Sequence, residues 1–172
     1  MFSHVIYRRE PLDITGPAIY RDAVRAVIRR GDEFFMVYST TVGYFTFPGG
    51  GVKKGETHIE ALTREVREEA GASVTAVSDL LGEITEYDRP KEPDYNVFRM
   101  ISHYYQVSIE NTIGSQHLDE YEIALGFSPI WVNIDQAILT NAAVLQKPDL
   151  PMPAWPKREL LALQELKKEL SR

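Results

Sequence analysis

The chain has 172 residues, 44% of them hydrophobic and 26% charged, with a formal net charge of −6. That balance fits one globular domain and excludes collagen-like, repeat and disordered classes. The lack of cysteine excludes disulfides, zinc–thiolate sites, iron–sulfur clusters and thiol nucleophiles.

In chain order, residues 1–20 read as an N-terminal extension. Val5 to Tyr7 suits a short strand, and Pro11, Gly16 and Pro17 break any regular element after it. Ala23 to Arg30 and Glu33 to Ser39 are rich in β-branched and aromatic residues. The Gly31-Asp32 pair between them predicts a hairpin. Tyr44 to Phe47 forms a third strand, stopped by Pro48 and three glycines. Thr57 and Glu60 have the spacing of a capping box, so a helix starts after Thr57 and ends at Gly71. Ile59, Leu62, Val66 and Ala70 define its buried face.

Strands are predicted from Ser73 to Leu81, Gly82 to Tyr87 and Val97 to Ile109, with a polar loop from Glu110 to Tyr121 after them. A short strand at Pro129 to Val132 precedes a helix from Asp135 to Leu145. A proline-rich connector from Lys147 to Pro156 leads to an amphipathic helix over 154–172, marked by Leu160, Leu161, Leu163, Leu166 and Leu170. The sum is a single α+β domain.

Chemistry concentrates between Gly49 and Ala72. Glu65, Glu68 and Glu69 are related by three or four residues, so one helix face carries three carboxylates beside the apolar stripe of Leu62 and Val66. Like charges at the edge of a core call for a counter-charge. Arg64 supplies part of it, and a hard divalent cation with oxygen ligands, Mg²⁺ or Mn²⁺, answers the rest. The four histidines (His4, His58, His103, His117) are dispersed in sequence, which gives a softer transition metal little support.

Gly50, then Glu56, then the run Arg64-Glu65-Val66-Arg67-Glu68-Glu69-Ala70-Gly71 resembles the Nudix box over 23 residues, with Ala72 where a larger aliphatic residue is usual. The resemblance implies an α/β/α sandwich around a mixed sheet. It also implies metal-dependent hydrolysis of a diphosphate linkage, in a nucleoside diphosphate joined to another moiety, by attack of water on phosphorus. By it, Glu65 and Glu69 hold the metal, Glu68 is a third ligand in many members, and the backbone carbonyl of Gly49 often completes the set. Glu56 and Arg64 look like orienting residues. The general base lies either among the box glutamates or on Glu120 or Glu122 of the later polar loop. Lys53 and Lys54 stand in the glycine loop, to meet substrate phosphates or simply to be solvated. Of Tyr44, Phe45 and Phe47, one face of the strand can stack on a base, with Phe47 the candidate, while the other joins the core.

The alternative is a catalytically silent, nucleotide-binding sensor of the same family, against which the intact box speaks. An isoprenoid diphosphate isomerase of the superfamily resembles a type that needs a catalytic cysteine. The expected partner is a small phosphorylated substrate of nucleotide type, with the chain a monomer or homodimer. The negative balance, with basic residues only in short pairs such as Arg29-Arg30, speaks against a stable nucleic-acid partner. No stretch suits a signal peptide or a membrane span, so no membrane partner and a cytoplasmic location are expected.

Overall fold

The computed structural model describes residues 1–9, 11–147 and 155–170. Among them, eight strands and four helices succeed one another: β1 (Phe2–Tyr7), β2 (Ala18–Val27), β3 (Arg29–Arg30), β4 (Glu33–Ser39), β5 (Tyr44–Thr46), α1 (His58–Ala70), β6 (Ala72–Asp88), β7 (Val97–Ile113), α2 (Glu120–Leu125), β8 (Phe127–Asn133), α3 (Ile134–Leu145) and α4 (Trp155–Leu170). They build two sheets. The first, in the order β1-β6-β7-β2, is mixed: β1 runs parallel to β6 and β2 parallel to β7, while β6 and β7 are antiparallel. In the second, β4 is flanked by β5 and β8 and also pairs with β3, all antiparallel.

Alternation of side chains along a strand explains the layering. Phe34 and Met36 of β4 face one core with Phe47, Ala137 and Leu163, while Phe35 and Val37 face another with Leu62 and Val66. Both faces of β4 are therefore dry, α1 covering one and α3 with α4 the other, which gives an α/β/α sandwich. No helix among the described residues is long and apolar enough to cross a membrane.

Several elements differ from the sequence reading. Gly82 does not divide two strands: β6 runs through it, with register irregularities nearby, and a Cβ there would meet the Phe2 ring at 2.4 Å. The glycine makes room for β1, so residues 1–20 supply the first sheet with its edge strand and the start of β2. The polar loop expected from Glu110 begins later, because β7 continues to Ile113, and it ends in α2. Ile59, expected to be buried, is 58% exposed. It shares the angular sector of Val66 and Ala70 but stands in the first turn, outside the packed part of the helix. In α4 the buried residues are Pro156, Arg158, Glu159, Ala162, Leu163 and Leu166, while Leu170 is exposed. The proline-rich connector falls largely outside the described residues.

Candidate active site

The capping box at Thr57 and Glu60 forms as the spacing suggests, and Gly71 closes α1 in the left-handed conformation at φ 64°. At about 100° per residue, Glu65 and Glu69 fall between Ala61 and Leu62 on the helix surface. The buried arc of α1 therefore contains two carboxylates as well as an apolar stripe, and both glutamates are less than a tenth exposed. Glu68 sits at the margin of that arc, with its side chain 38% exposed.

The glycine loop is held beside them by β2. Ala26 N–H donates to Pro48, Val24 N–H to Gly50, and Val52 N–H to Asp22, so the loop tracks the strand edge. Gly49 has φ 148°, and a Cβ on it would meet the Val24 carbonyl at 2.1 Å, so only glycine permits this approach. Its N–H donates to Glu69 Oε2 at 2.8 Å. Its carbonyl, expected to face a metal, accepts a hydrogen bond from the buried Arg25.

Arg64 organises the acidic groups. Its Nε and Nη2 form a fork to Glu56 at 2.7 and 2.9 Å, Nη1 reaches Glu65 at 2.6 Å and Glu68 at 3.2 Å, and Nη2 also donates to Gly51 O. The Arg64 bond, aided by Lys53 N–H, holds the Glu56 carboxyl down to about 2. Glu69 moves the other way. Burial lifts its carboxyl well above the usual range, and the nearby Glu65 and Glu122 charges add to this against the opposing pull of Gly49 N–H and Arg25.

Glu122 comes from α2. The chain leaving β7 docks on the end of α1 through Gly114 N–H to Gly71 O, His117 N–H to Glu68 O, and the Gln116 side chain to Glu69 O. Asp119 then caps α2, and Glu122 returns a bond to Asp119 N–H at 2.8 Å. That places carboxylate oxygens of Glu65, Glu69 and Glu122 within 4.8 Å of one another. Burial raises the Glu122 carboxyl, and Asp119, Glu65 and Glu68 raise it further, although Asp119 N–H opposes them. Three oxygen donors of this kind, in a set with no nitrogen or sulfur, fit Mg²⁺ or Mn²⁺.

The carboxylates open into a pocket of about 540 Å³. Of the residues singled out in the sequence, Gly49, Lys53, Arg64, Glu65, Glu68, Glu69 and Glu122 line it. Glu120 is exposed and outside it, as is Lys54. Phe47 is fully buried, edge-on to Phe34 and Tyr104, so its ring has no face left for a base. Tyr44, one of the three aromatic residues considered for stacking, lines it too, and Arg21, Arg25 and Arg158 do so without having been anticipated. Arg25 Nε and Tyr44 Oη are buried with no hydrogen-bond partner among the described residues. Nothing in the local sequence marks the three arginines, since their roles depend on long-range packing.

Two further expectations change. The basic residues are not all scattered, because Arg8, Arg9, Arg89, Lys91 and Lys157 border, with the fewer acidic Asp88 and Glu92, a depression of about 730 Å³ that shares Arg21 and Met100 with the carboxylate pocket. Arg8 and Arg9 pair there with Asp88. The histidines are not all dispersed either, because the His58 and His103 rings lie 4.6 Å apart.

Comparison with known proteins identifies relatives of the chain. Two curated relatives, each called RNA pyrophosphohydrolase, match part of the chain. The protein of a Nitratiruptor species is 35% identical over 79 residues, 42% of this chain and 51% of its own length. That of a Sulfurovum species is 40% identical over 81 residues, 42% and 50% of the two lengths. The chain thus spans about half the length of these relatives. A solved structure described as a NUDIX hydrolase from Nitrosomonas europaea shares the fold at a TM-score of 0.54 and 21% identity, covering 87% of this chain and 89% of the other. The family model described as NUDIX domain matches residues 19–155, from β2 through α3, and so takes in all the carboxylates of the pocket, with Arg158 beyond it. With the loop, the helix and its acidic face all inside that span, the chain belongs to the NUDIX family.

Proposed function

We propose that the chain is a metal-dependent pyrophosphohydrolase that cleaves a diphosphate linkage in a nucleotide-type substrate. The observation that carries the reading is the convergence of Glu65, Glu69 and Glu122 in one pocket walled by the Gly49–Gly51 loop. Glu65 and Glu69 would hold the metal, with Glu68 at the open margin. Mg²⁺ or Mn²⁺ bound there would neutralise charge on the phosphate oxygens and acidify a water.

Glu122 is the proton acceptor in this reading. One of its oxygens is tied to Asp119 N–H, and burial raises its carboxyl above the ordinary value, which makes it a stronger base than an exposed carboxylate. The attacking water forms a P–O bond, its proton passes to Glu122, and the bridging P–O bond breaks toward the leaving phosphate. Arg64 and Glu56 set the directions of the acidic side chains. Lys53 at the rim and Arg21 toward the basic depression would receive the remaining phosphates, Lys as a compact charge and Arg as a planar fork. The depression supports a substrate with anionic groups beyond the cleaved linkage, and the name carried by the two curated relatives makes a 5′-triphosphorylated RNA end one such substrate to test.

The experiment is turnover with Mg²⁺ or Mn²⁺ on nucleoside triphosphates, nucleotide sugars, dinucleoside polyphosphates and a 5′-triphosphorylated oligoribonucleotide. Reaction in ¹⁸O-water should put the label on a phosphate product. Glu69→Gln should lose at least about 100-fold in activity, at or beyond the upper end of the loss from an outer-shell change. Glu122→Gln should lose about 10²- to 10⁴-fold, the usual worth of a general base. No cleavage of any substrate, or a Glu69→Gln protein as active as the parent, would refute the proposal.

A further inference from the structure

A second group of ligand-type side chains stands on the sheet face covered by α1. Along β2, alternation turns Asp22 away from its neighbour Arg21, which lines the carboxylate pocket. His103 of β7 lies opposite Val24 of β2 and opposite Glu83 of β6. His58 is the first residue of α1 and reaches down to the same spot. Asp22 Oδ2 lies 2.8 Å from His58 Nε2, and Asp22 Oδ1 lies 2.9 Å from His103 Nε2. One ligand atom from each of the three residues lies within 4.8 Å of the others.

The outer nitrogens are also engaged. His103 Nδ1 lies 2.8 Å from Glu83 Oε1, and His58 Nδ1 lies 2.8 Å from Tyr105 Oη. His103 thus has a carboxylate oxygen at each ring nitrogen. A neutral imidazole has one N–H and one lone pair, so it cannot donate to both carboxylates. A second proton or a cation at Nε2 resolves the conflict, and a cation leaves the N–H on Nδ1 to donate to Glu83. That carboxylate–histidine–metal relay orients the ligands of many metal sites.

We propose that Asp22, His58 and His103 form a second metal site, selective for Zn²⁺ or a similar borderline divalent ion. Two imidazoles and one carboxylate favour zinc over the hard ions suited to the all-oxygen cluster. Zinc bonds of about 2.0–2.2 Å put tetrahedral ligand atoms about 3.3 Å apart. The present N···O separations would therefore open by a few tenths of an ångström, within reach of small side-chain rotations. Asp22 is about half exposed, which leaves an open side for ion entry and a water ligand. The two carboxylates, Asp22 and Glu83, balance the charge of a divalent ion. Such an ion would tie the first turn of α1 to β2 and β7, bracing the catalytic helix from the end remote from Gly71.

The test is titration of the metal-stripped, full-length protein with Co²⁺, monitored by visible absorption, and with Zn²⁺ against a chromophoric chelator. Wild type should bind one Co²⁺ with the intense spectrum of a tetrahedral site, unchanged by Glu69→Gln and not displaced by millimolar Mg²⁺. His58→Ala and His103→Ala should remove that spectrum. Asp22→Asn, at an exposed position, repeats the test with little change in packing, and far-UV circular dichroism checks each fold. Glu83→Gln keeps every ligand and should weaken binding about 10- to 100-fold. Absence of Co²⁺ binding in wild type, or a spectrum lost in Glu69→Gln but kept in His103→Ala, would overturn the proposal.

Discussion

Arg64 donates five hydrogen bonds, to Glu56, Glu65, Glu68 and the Gly51 carbonyl, so one guanidinium sets both the carboxylates and the loop. A lysine keeps the charge but not the planar fork. Arg64→Lys should therefore lower activity by about 10- to 100-fold, as for other outer-shell residues of metal sites, with a raised Mg²⁺ requirement in steady-state kinetics. An unchanged Mg²⁺ dependence would mean that Arg64 does not orient the metal-binding carboxylates. The Glu56 carboxyl is held down to about 2 in the fold. A depressed carboxyl contributes stability that is present above its unfolded value and lost only as pH falls through the folded one. The Arg64–Glu56 tie thus persists to about pH 2. As pH falls, loss of activity is therefore expected from the groups shifted upward, Glu122 and Glu69, before Glu56 titrates.

At the scale of elements, α2 is only six residues long, yet it delivers Glu122. Glu122 has two tasks: one oxygen closes the capping box on Asp119 N–H, and the carboxylate faces Glu65 and Glu69. Asp119→Ala removes the acceptor for Glu122 N–H. Loss of such a cap costs about 0.5–2 kcal/mol, enough to fray a helix this short. Activity should fall toward that of Glu122→Gln, while far-UV circular dichroism stays nearly constant. Retained activity would show that β8 and the docking on α1 suffice to position Glu122.

The helix was legible in principle. Asp119 and Glu122 have the same three-residue spacing as Thr57 and Glu60, and Gly126 ends α2 as Gly71 ends α1. What α2 lacks is length, since six residues cannot display a periodic apolar face. The α1 helix was readable because cap, period and terminator agreed. Only its packed extent was not, because Ile59 has the right phase but stands in the first turn, where it is more than half exposed. The glutamates of the box were legible as a set, but which outside carboxylate joins them depended on the docking of residues 114–118 on α1.

For the whole molecule, long-range ion pairs escape sequence reading most completely. The leucines of α4 announce an apolar face, yet its most buried residues include Arg158 and Glu159. Arg158 meets Glu86 of β6 at 3.0 Å, and Arg8, just beyond β1, meets the same carboxylate at 2.8 Å. Glu159 in turn accepts the N–H of Phe47, two residues before Gly49, so α4 braces the strand that leads into the glycine loop. Most of α4 and all of β1 lie outside the matched residues 19–155, and Glu86 joins both to the shared fold.

Removing one partner of a buried ion pair costs about 3–5 kcal/mol, because the charge left behind remains desolvated. Glu86→Gln leaves Arg158 with Glu159 and Arg8 with Asp88 as their remaining carboxylates, so urea unfolding at pH 7 should register a loss toward the low end of that range. The pH dependence separates this from a packing defect. Burial alone would raise the Glu86 carboxyl, but Arg158 and Arg8 outweigh it and hold the group below its ordinary value. Its contribution is therefore complete above the unfolded carboxyl value of about 4.3 and is lost as pH falls through the folded one. The stability gap between wild type and Glu86→Gln should stay constant from pH 8 to about pH 5 and close below about pH 4. A gap that persists unchanged at pH 3.5 would assign the loss to packing and remove the charge network from the account of how α4 is held.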